Sequence, residues 1–185
     1  MSGRLAMVID TALCVGCSAC VVACKTENQV PEGFCRDWVS EEVRGRFPTV
    51  GLELRSERCN HCSNPPCVGC CPTGASHVHP YGGVVLVDHE KCIGCKACIA
   101  ACPYDARFSN PEGYADKCTF CIHRVEQGLK PACVSVCPTH CMHFGDLDDP
   151  LSEVSRLLRS RAHHALHPEA GTGPQVYYLT AGGRP

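Results

Sequence analysis

Cys14, Cys17, Cys20 and Cys24 share one spacing with Cys92, Cys95, Cys98 and Cys102: two steps of three residues, then one of four. Thiolates spaced like this hold iron-sulfur clusters, the first three reaching three corners of one cubane and the fourth pointing toward a neighbouring cluster. Two looser runs obey the same rule, Cys59, Cys62, Cys67 and Cys71 before Pro72, and Cys118, Cys121, Cys133 and Cys137 before Pro138. Together the four runs take all but Cys35, Cys70 and Cys141 of the 19 cysteines. The chemistry they predict is one-electron transfer through four clusters.

Short local elements must carry these runs. Val8-Ile9-Asp10 before Cys14 matches Leu86-Val87-Asp88 before Cys92, and all four cysteines of the two runs follow in step, so the chain contains a duplicated unit. Each copy reads as a β-branched strand, a tight loop with three cysteines, and a helical turn presenting the fourth, over 19–27 and 97–103. This is the half-site pattern of a two-cluster ferredoxin. The looser runs widen the gap before their third cysteine, at 63–66 and at 122–132, and such insertions suit partner contacts better than core. Residues 75–79 and 84–87, joined by Pro80-Tyr81-Gly82-Gly83, read as a β-hairpin. Asp149 and Pro150 predict the start of a helix with the apolar stripe Leu151, Val154, Leu157, Leu158 and Ala162, and Val176 to Leu179 reads as a closing strand or packed tail.

Composition agrees. The chain has 185 residues and a formal charge of -2, but cysteine usage is so far above the ordinary that metal must supply part of the folding free energy. Loaded with four clusters the protein would carry roughly -10, since each core returns only part of the thiolate charge. No continuous basic stripe runs through 44–58 or 156–161, so these arginines read as solvated surface and a nucleic-acid partner is not expected. The longest charge-free apolar stretch, 11–24, falls short of the roughly 20 residues that span a bilayer. The start, Met1-Ser2-Gly3-Arg4-Leu5, shows neither a signal-peptide pattern nor twin arginines, so export would ride on a partner.

Zinc is the first competitor. Zinc ribbons use two cysteine pairs separated by some 12 to 20 residues, whereas a third cysteine at the next step is cluster grammar; read alone, the fourth run could still make a zinc knuckle. A disulfide scaffold fits worse, because cysteines two apart in a tight loop are poorly placed to bridge. Cys35, Cys70 and Cys141 read as buried free thiols, with Cys71 preferred over Cys70 as the ligand because it keeps the spacing and the proline. His163, His164 and His167 read as solvated. His61, inside a ligand loop, reads either as a donor to cluster sulfur or as a partly exposed loop residue. Lys25, Lys96, Arg107 and Lys117 lie beside the runs and either raise the local potential or balance charge. No nucleophile-base arrangement and no glycine-rich nucleotide loop stands out, Gly182-Gly183 reading as an ordinary turn, so no catalytic residue is expected.

The four runs in this order, with Pro72-Thr73-Gly74-Ala75 after run two, Pro103-Tyr104-Asp105-Ala106-Arg107 after run three, Lys117-Cys118-Thr119-Phe120-Cys121 and Phe144-Gly145-Asp146-Leu147, resemble one family. It is the four-cluster iron-sulfur subunit of DMSO-reductase-type molybdopterin oxidoreductases, nearest to the polysulfide, thiosulfate and tetrathionate reductase subunits. The resemblance covers about residues 4–150. It implies an α+β fold of two fused ferredoxin-like units with pseudo-twofold symmetry, loop-rich and stabilised by clusters. Residues 1–58 and 103–150 would form the first unit from runs one and four, 59–102 the second from runs two and three, and 151–185 a C-terminal helix and tail.

The resemblance also implies four [4Fe-4S] ligand sets. These are Cys14, Cys17, Cys20 with Cys137; Cys118, Cys121, Cys133 with Cys24; Cys59, Cys62, Cys67 with Cys102; and Cys92, Cys95, Cys98 with Cys71. No other metal is expected. The implied partners are a large molybdopterin catalytic subunit and an integral membrane quinone-interacting subunit, with no transmembrane segment in this chain. The expected location is peripheral to the membrane, on its periplasmic face by co-export rather than on the cytoplasmic face. Rival readings are a stand-alone polyferredoxin or a hydrogenase or formate dehydrogenase subunit, and a zinc-stabilised interaction module.

Overall fold

A computed structural model describes residues 3–180; Met1, Ser2 and the Gly182-Gly183 turn lie outside the described residues. Strand β1 (Leu5–Asp10) is buried along its whole length, as its unbroken apolar run requires of a strand covered on both faces. The run-one loop leads into α1 (Ala19–Glu27), where spacing placed it. Next comes an antiparallel ribbon that sequence reading did not foresee, β2 (Asp37–Arg46) and β3 (Thr49–Arg58), paired in register from Asp37 with Arg58 to Arg46 with Thr49.

After run two begins, α2 (Pro66–Gly69) starts on a proline, which fits a first turn whose N–H has no partner. The expected hairpin forms as β4 (Ser76–Val78) and β5 (Val85–Val87), paired antiparallel. Helix α3 (Ala97–Ala100) stops short of the expected end at Pro103, because the residue before a proline is disfavoured in helical geometry. Strands β6 (Phe108–Ser109) and β7 (Ala115–Asp116) make a minimal ladder. The long insertion of run four is not free loop: it contains α4 (Ile122–Val125), with Val125 buried, and ends in α5 (Ala132–Val136).

The remaining elements are β8 (Met142–Asp146), α6 (Glu153–Ser160), β9 (His163–His164) and β10 (Val176–Leu179). They close the main sheet in the order β8-β1-β10-β9. Strand β10 lies parallel to β1 and β8 antiparallel to it, so the expected closing strand takes an inner place in the sheet. Alternation divides β1 between two cores. Met7 and Ile9 face the cysteine-bearing loops together with Val176 and Tyr178, while Val8 packs with Leu179, Val154, Leu157 and Leu158 beneath α6.

The start of α6 corrects the expected cap. Ser152, not Asp149, precedes the helix, and its Oγ accepts the Ser155 N–H at 3.2 Å. Asp149 instead accepts the Leu151 N–H at 2.8 Å in a turn before the helix, which leaves Leu151 exposed and outside the apolar stripe. Ser152→Ala is therefore expected to cost about 1 kcal/mol, read as an earlier thermal transition of the holoprotein, whereas a pure cap at Asp149 would leave Ser152→Ala neutral.

Candidate cluster sites

Each triplet of cysteines lies on a loop that dips into left-handed backbone space. In run one Gly16 has φ 67° and Ser18 φ 58°; at the matching places of run three Gly94 has φ 66° and Lys96 φ 63°. Such turns fold the chain around a centre and aim successive sulfurs inward, and glycine takes them without a Cβ penalty. In runs two and four the corresponding strain falls on His61, at φ 43°, and Phe120, at φ 52°. These two residues occupy the same place in Cys-x-x-Cys, and their rings pack with centroids 3.8 Å apart.

Packing then brings distant cysteines together. Cys14, Cys17 and Cys20 line one cavity with Cys137, enclosing about 290 Å³ of atom-free space with its mouth included. Cys92, Cys95 and Cys98 line another with Cys71, of about 320 Å³. All-sulfur donor sets of this kind suit an iron-sulfur cluster. Among the described residues no three His, Cys, Asp or Glu side chains converge as the ligands of a single ion would. A wide, open groove between α1 and α5, lined by Ala19, Val22, Ala132 and Val136 with Glu27 and Arg124 at its edge, holds no cysteine.

The inner groupings are buried except at Cys102, which is half-buried. Cys24 lies among Cys118, Cys133 and Cys121, and after burial their charge and that of Asp37 drive its thiol far upward. Asn28 Nδ2 spans this group, 3.6 Å from Cys24 Sγ and 3.8 Å from Cys121 Sγ. Cys67 lies near Cys59 and Cys102, and Cys62 near Cys59 and Cys67. Burial pushes Cys62 to about 11 and Cys118 to about 12, so the free thiols are neutral and binding metal must displace their protons. Backbone N–H groups already point at several sulfurs: Ser76 at Cys71, 3.3 Å; Ala115 at Cys92, 3.4 Å; and Phe120 at Cys118, 3.4 Å.

Three buried cations surround these inner sulfurs. Arg58, read as solvated surface, is in fact 1% exposed. Its guanidinium donates to Cys133 Sγ at 3.1 Å and to Ser56 Oγ, with Asp37 at 3.9 Å. Burial opposes that charge, but Cys133, Asp37, Cys118 and Cys20 outweigh it and hold the group protonated. Arg107 donates to Cys67 Sγ and Ser76 Oγ, both at 2.9 Å. Lys117 is equally buried and donates to the carbonyls of Val85 and Cys118. Lys25 turns to the carbonyls of Pro31 and Phe34 instead, and Lys96 is exposed.

The ribbon explains why Arg58 escaped notice. Its strands alternate, so Val39, Val43, Leu52 and Leu54 share one face with Arg58, while Arg55 bridges Glu42, Glu53 and Glu57 on the other. The signal was period-two patterning immediately before Cys59. Toward the tip Val43, Phe47 and Leu52 stay exposed. Of the two readings of His61, the structure removes the partly exposed loop residue: it is buried, and burial beside Lys117, Arg107 and Arg58 lowers its pKa well below the usual value. Of the three spare cysteines only Cys141 is buried, with its Sγ 3.4 Å from Cys137; Cys35 and Cys70 are exposed.

A ferredoxin-type iron-sulfur protein is the class that these loops and donor sets define. A family model for the 4Fe-4S dicluster domain matches residues 50–147, and one for the 4Fe-4S binding domain matches 7–28. The chain is 46% identical over 181 residues to a component of the tetrathionate reductase of Salmonella typhimurium, covering 95% of this chain and 72% of that one. It is 46% identical over 177 residues to protein NrfC of Escherichia coli (94% and 79% covered), and 37% identical over 229 residues to the arsenate respiratory reductase iron-sulfur subunit ArrB of a Shewanella species (97% of each). The chain belongs to this 4Fe-4S dicluster family of reductase iron-sulfur subunits.

Proposed function

We propose that this chain is the electron-transfer subunit of a reductase complex. It relays electrons through four [4Fe-4S] clusters between a molybdopterin catalytic subunit and a quinone-interacting membrane subunit. The observation that carries the reading is the crossing of runs: Cys137 reaches the cavity of the run-one triplet, and Cys71 that of the run-three triplet. Cys24 beside Cys118, Cys121 and Cys133, and Cys102 near Cys67, support the same exchange at the inner pair. The sixteen ligands are then the four sets that the family resemblance implies, with runs one and four forming one pseudo-symmetric unit and runs two and three the other. When bound, such clusters supply one-electron transfer.

The chain's own residues bind and insulate. Buried sulfurs exclude water from the inner sites, and Arg58, Arg107 and Lys117 offset negative charge there. No substrate-converting group is assigned to this subunit; the names of the relatives, as parts of tetrathionate and arsenate reductases, support a separate catalytic partner. Among the described residues no helix is long and apolar enough to cross a membrane, which suits attachment through partner subunits. We place the assembly on the periplasmic face, reached by co-export with the catalytic partner.

The test combines composition with ligand crossing. Anaerobically isolated protein is expected to carry about sixteen iron and sixteen acid-labile sulfide per chain and to co-purify with a molybdopterin protein. Cys137→Ser and Cys14→Ser should alter one and the same EPR signal, and Cys24→Ser should alter the signal changed by Cys118→Ser. Cys24 and Cys14 acting on a common signal would defeat the proposed layout, and iron-free protein would defeat the function.

A further inference from the structure

His61 lies in the run-two loop between Cys59 and Cys62 and is 1% exposed. Its Nδ1 takes the Val85 backbone N–H at 3.1 Å. A backbone amide can only donate, so this ring nitrogen is the acceptor and carries no proton, and the ring proton of the imidazole sits on Nε2. That Nε2 is buried and has no hydrogen-bond partner within the chain. The charged groups around the ring, Lys117, Arg107 and Arg58, are all donors and offer it nothing. One ring face is closed by Phe120. A buried N–H left unpaired gives up the bonds it made to water, so an acceptor is called for. Sulfur is the acceptor chemistry that this loop is built to hold.

We infer that His61 is a positioning residue whose Nε2–H donates to sulfur of the centre held by Cys59, Cys62 and Cys67, raising that centre's reduction potential relative to a loop without the donor. The inference rests on the proposed cluster reading and deepens it. Adding an electron makes the centre more negative, and a fixed donor stabilises that form more than the oxidised one. Val85 on β5 orients the ring from one side and Phe120 of run four holds it from the other. Phe120 fills the same place in run four but carries no donor, so the effect belongs to one inner centre and not to its neighbour.

The test uses the intact complex, titrated potentiometrically and followed by EPR, with the signal of this centre assigned through Cys59→Ser. His61→Leu is expected to shift its reduction equilibrium about tenfold toward the oxidised form, ~59 mV for one electron, leaving the other three potentials in place. His61→Gln, which keeps an N–H, should recover part of the shift. Because a buried substitution can impair folding, the second measurement uses native protein: with ¹⁵N-histidine, pulsed EPR of the reduced centre should show a nitrogen coupling that His61→Gln removes. Full iron content with no shift in His61→Leu and no coupling in native protein would overturn the inference while leaving the cluster reading intact. A shift confined to the Cys118-Cys121-Cys133 centre would overturn its assignment. Absence of iron would instead sink the reading beneath it.

Discussion

Stripping the iron from this protein is expected to unfold it, not merely to inactivate it. Eleven cysteines are buried, and seven of them, Cys20, Cys59, Cys62, Cys118, Cys133, Cys137 and Cys141, lie in the main core with Met7, Ile9 and Tyr178. Once the metal leaves, burial favours the neutral thiol at Cys20, Cys62, Cys67, Cys118 and Cys133. Arg58 and Arg107 then stay buried as cations with Asp37 as the nearest counter-charge to the first, while burial pushes Lys117 toward its neutral form. Each uncompensated buried ion costs several kcal/mol, against the roughly 5–15 kcal/mol that holds an ordinary domain together. Anaerobic chelation should therefore abolish the far-UV circular dichroism of the sheet and open the run loops to protease. A stripped chain that kept its native spectrum and a cooperative melt would show that the polypeptide folds without metal.

Arg58→Met is expected to be the most damaging single change outside the cysteines. It removes the donor to Cys133 and leaves the Asp37 carboxylate buried, with neither oxygen hydrogen-bonded. Breaking a buried ion pair from one side costs about 3–5 kcal/mol. The loss should appear as a lower guanidinium midpoint for bleaching of the cluster absorbance, with a lower potential for the centre that includes Cys133. Arg58→Met with Asp37→Asn should regain much of the stability but not the potential, because the carboxylate is neutralised while the donor is still gone. Arg55→Met on the outer face of the same strand is the control. Although Arg55 faces three carboxylates, all of them partly screened by solvent, its loss should cost at most about 1 kcal/mol. Equal effects at the two arginines would mean that burial does not set the difference.

The cysteine triplets, the strand before runs one and three, the helix over 19–27 and the hairpin from 76 to 87 were legible because each is local. A loop that wraps a centre needs its sulfurs within a few residues, and short-range spacing records that directly. Capping was half legible: Asp149 and Ser152 both suit a helix start, and only the backbone entering α6 chose between them. The ribbon at 37–58 was missed because its charged outer face dominates the composition, while its alternation becomes meaningful only when Arg58 and Ser56 are seen to face the core.

By itself, then, the order of residues pointed to the kind of chemistry and to the family: four runs of closely spaced cysteines and a family pattern from Cys14 to Cys137. Tertiary structure decided what stands across from each run. It carried Cys137 to the cavity of Cys14 and set β10 beside β1, buried Arg58 against Cys133, and packed His61 against Phe120 with its Nε2 unpaired within the chain. The reason is physical. Ligand spacing within a loop is imposed by the size of what the loop encloses, whereas burial, charge compensation and the partner of a donor depend on chain segments far apart in sequence, which only packing brings into contact.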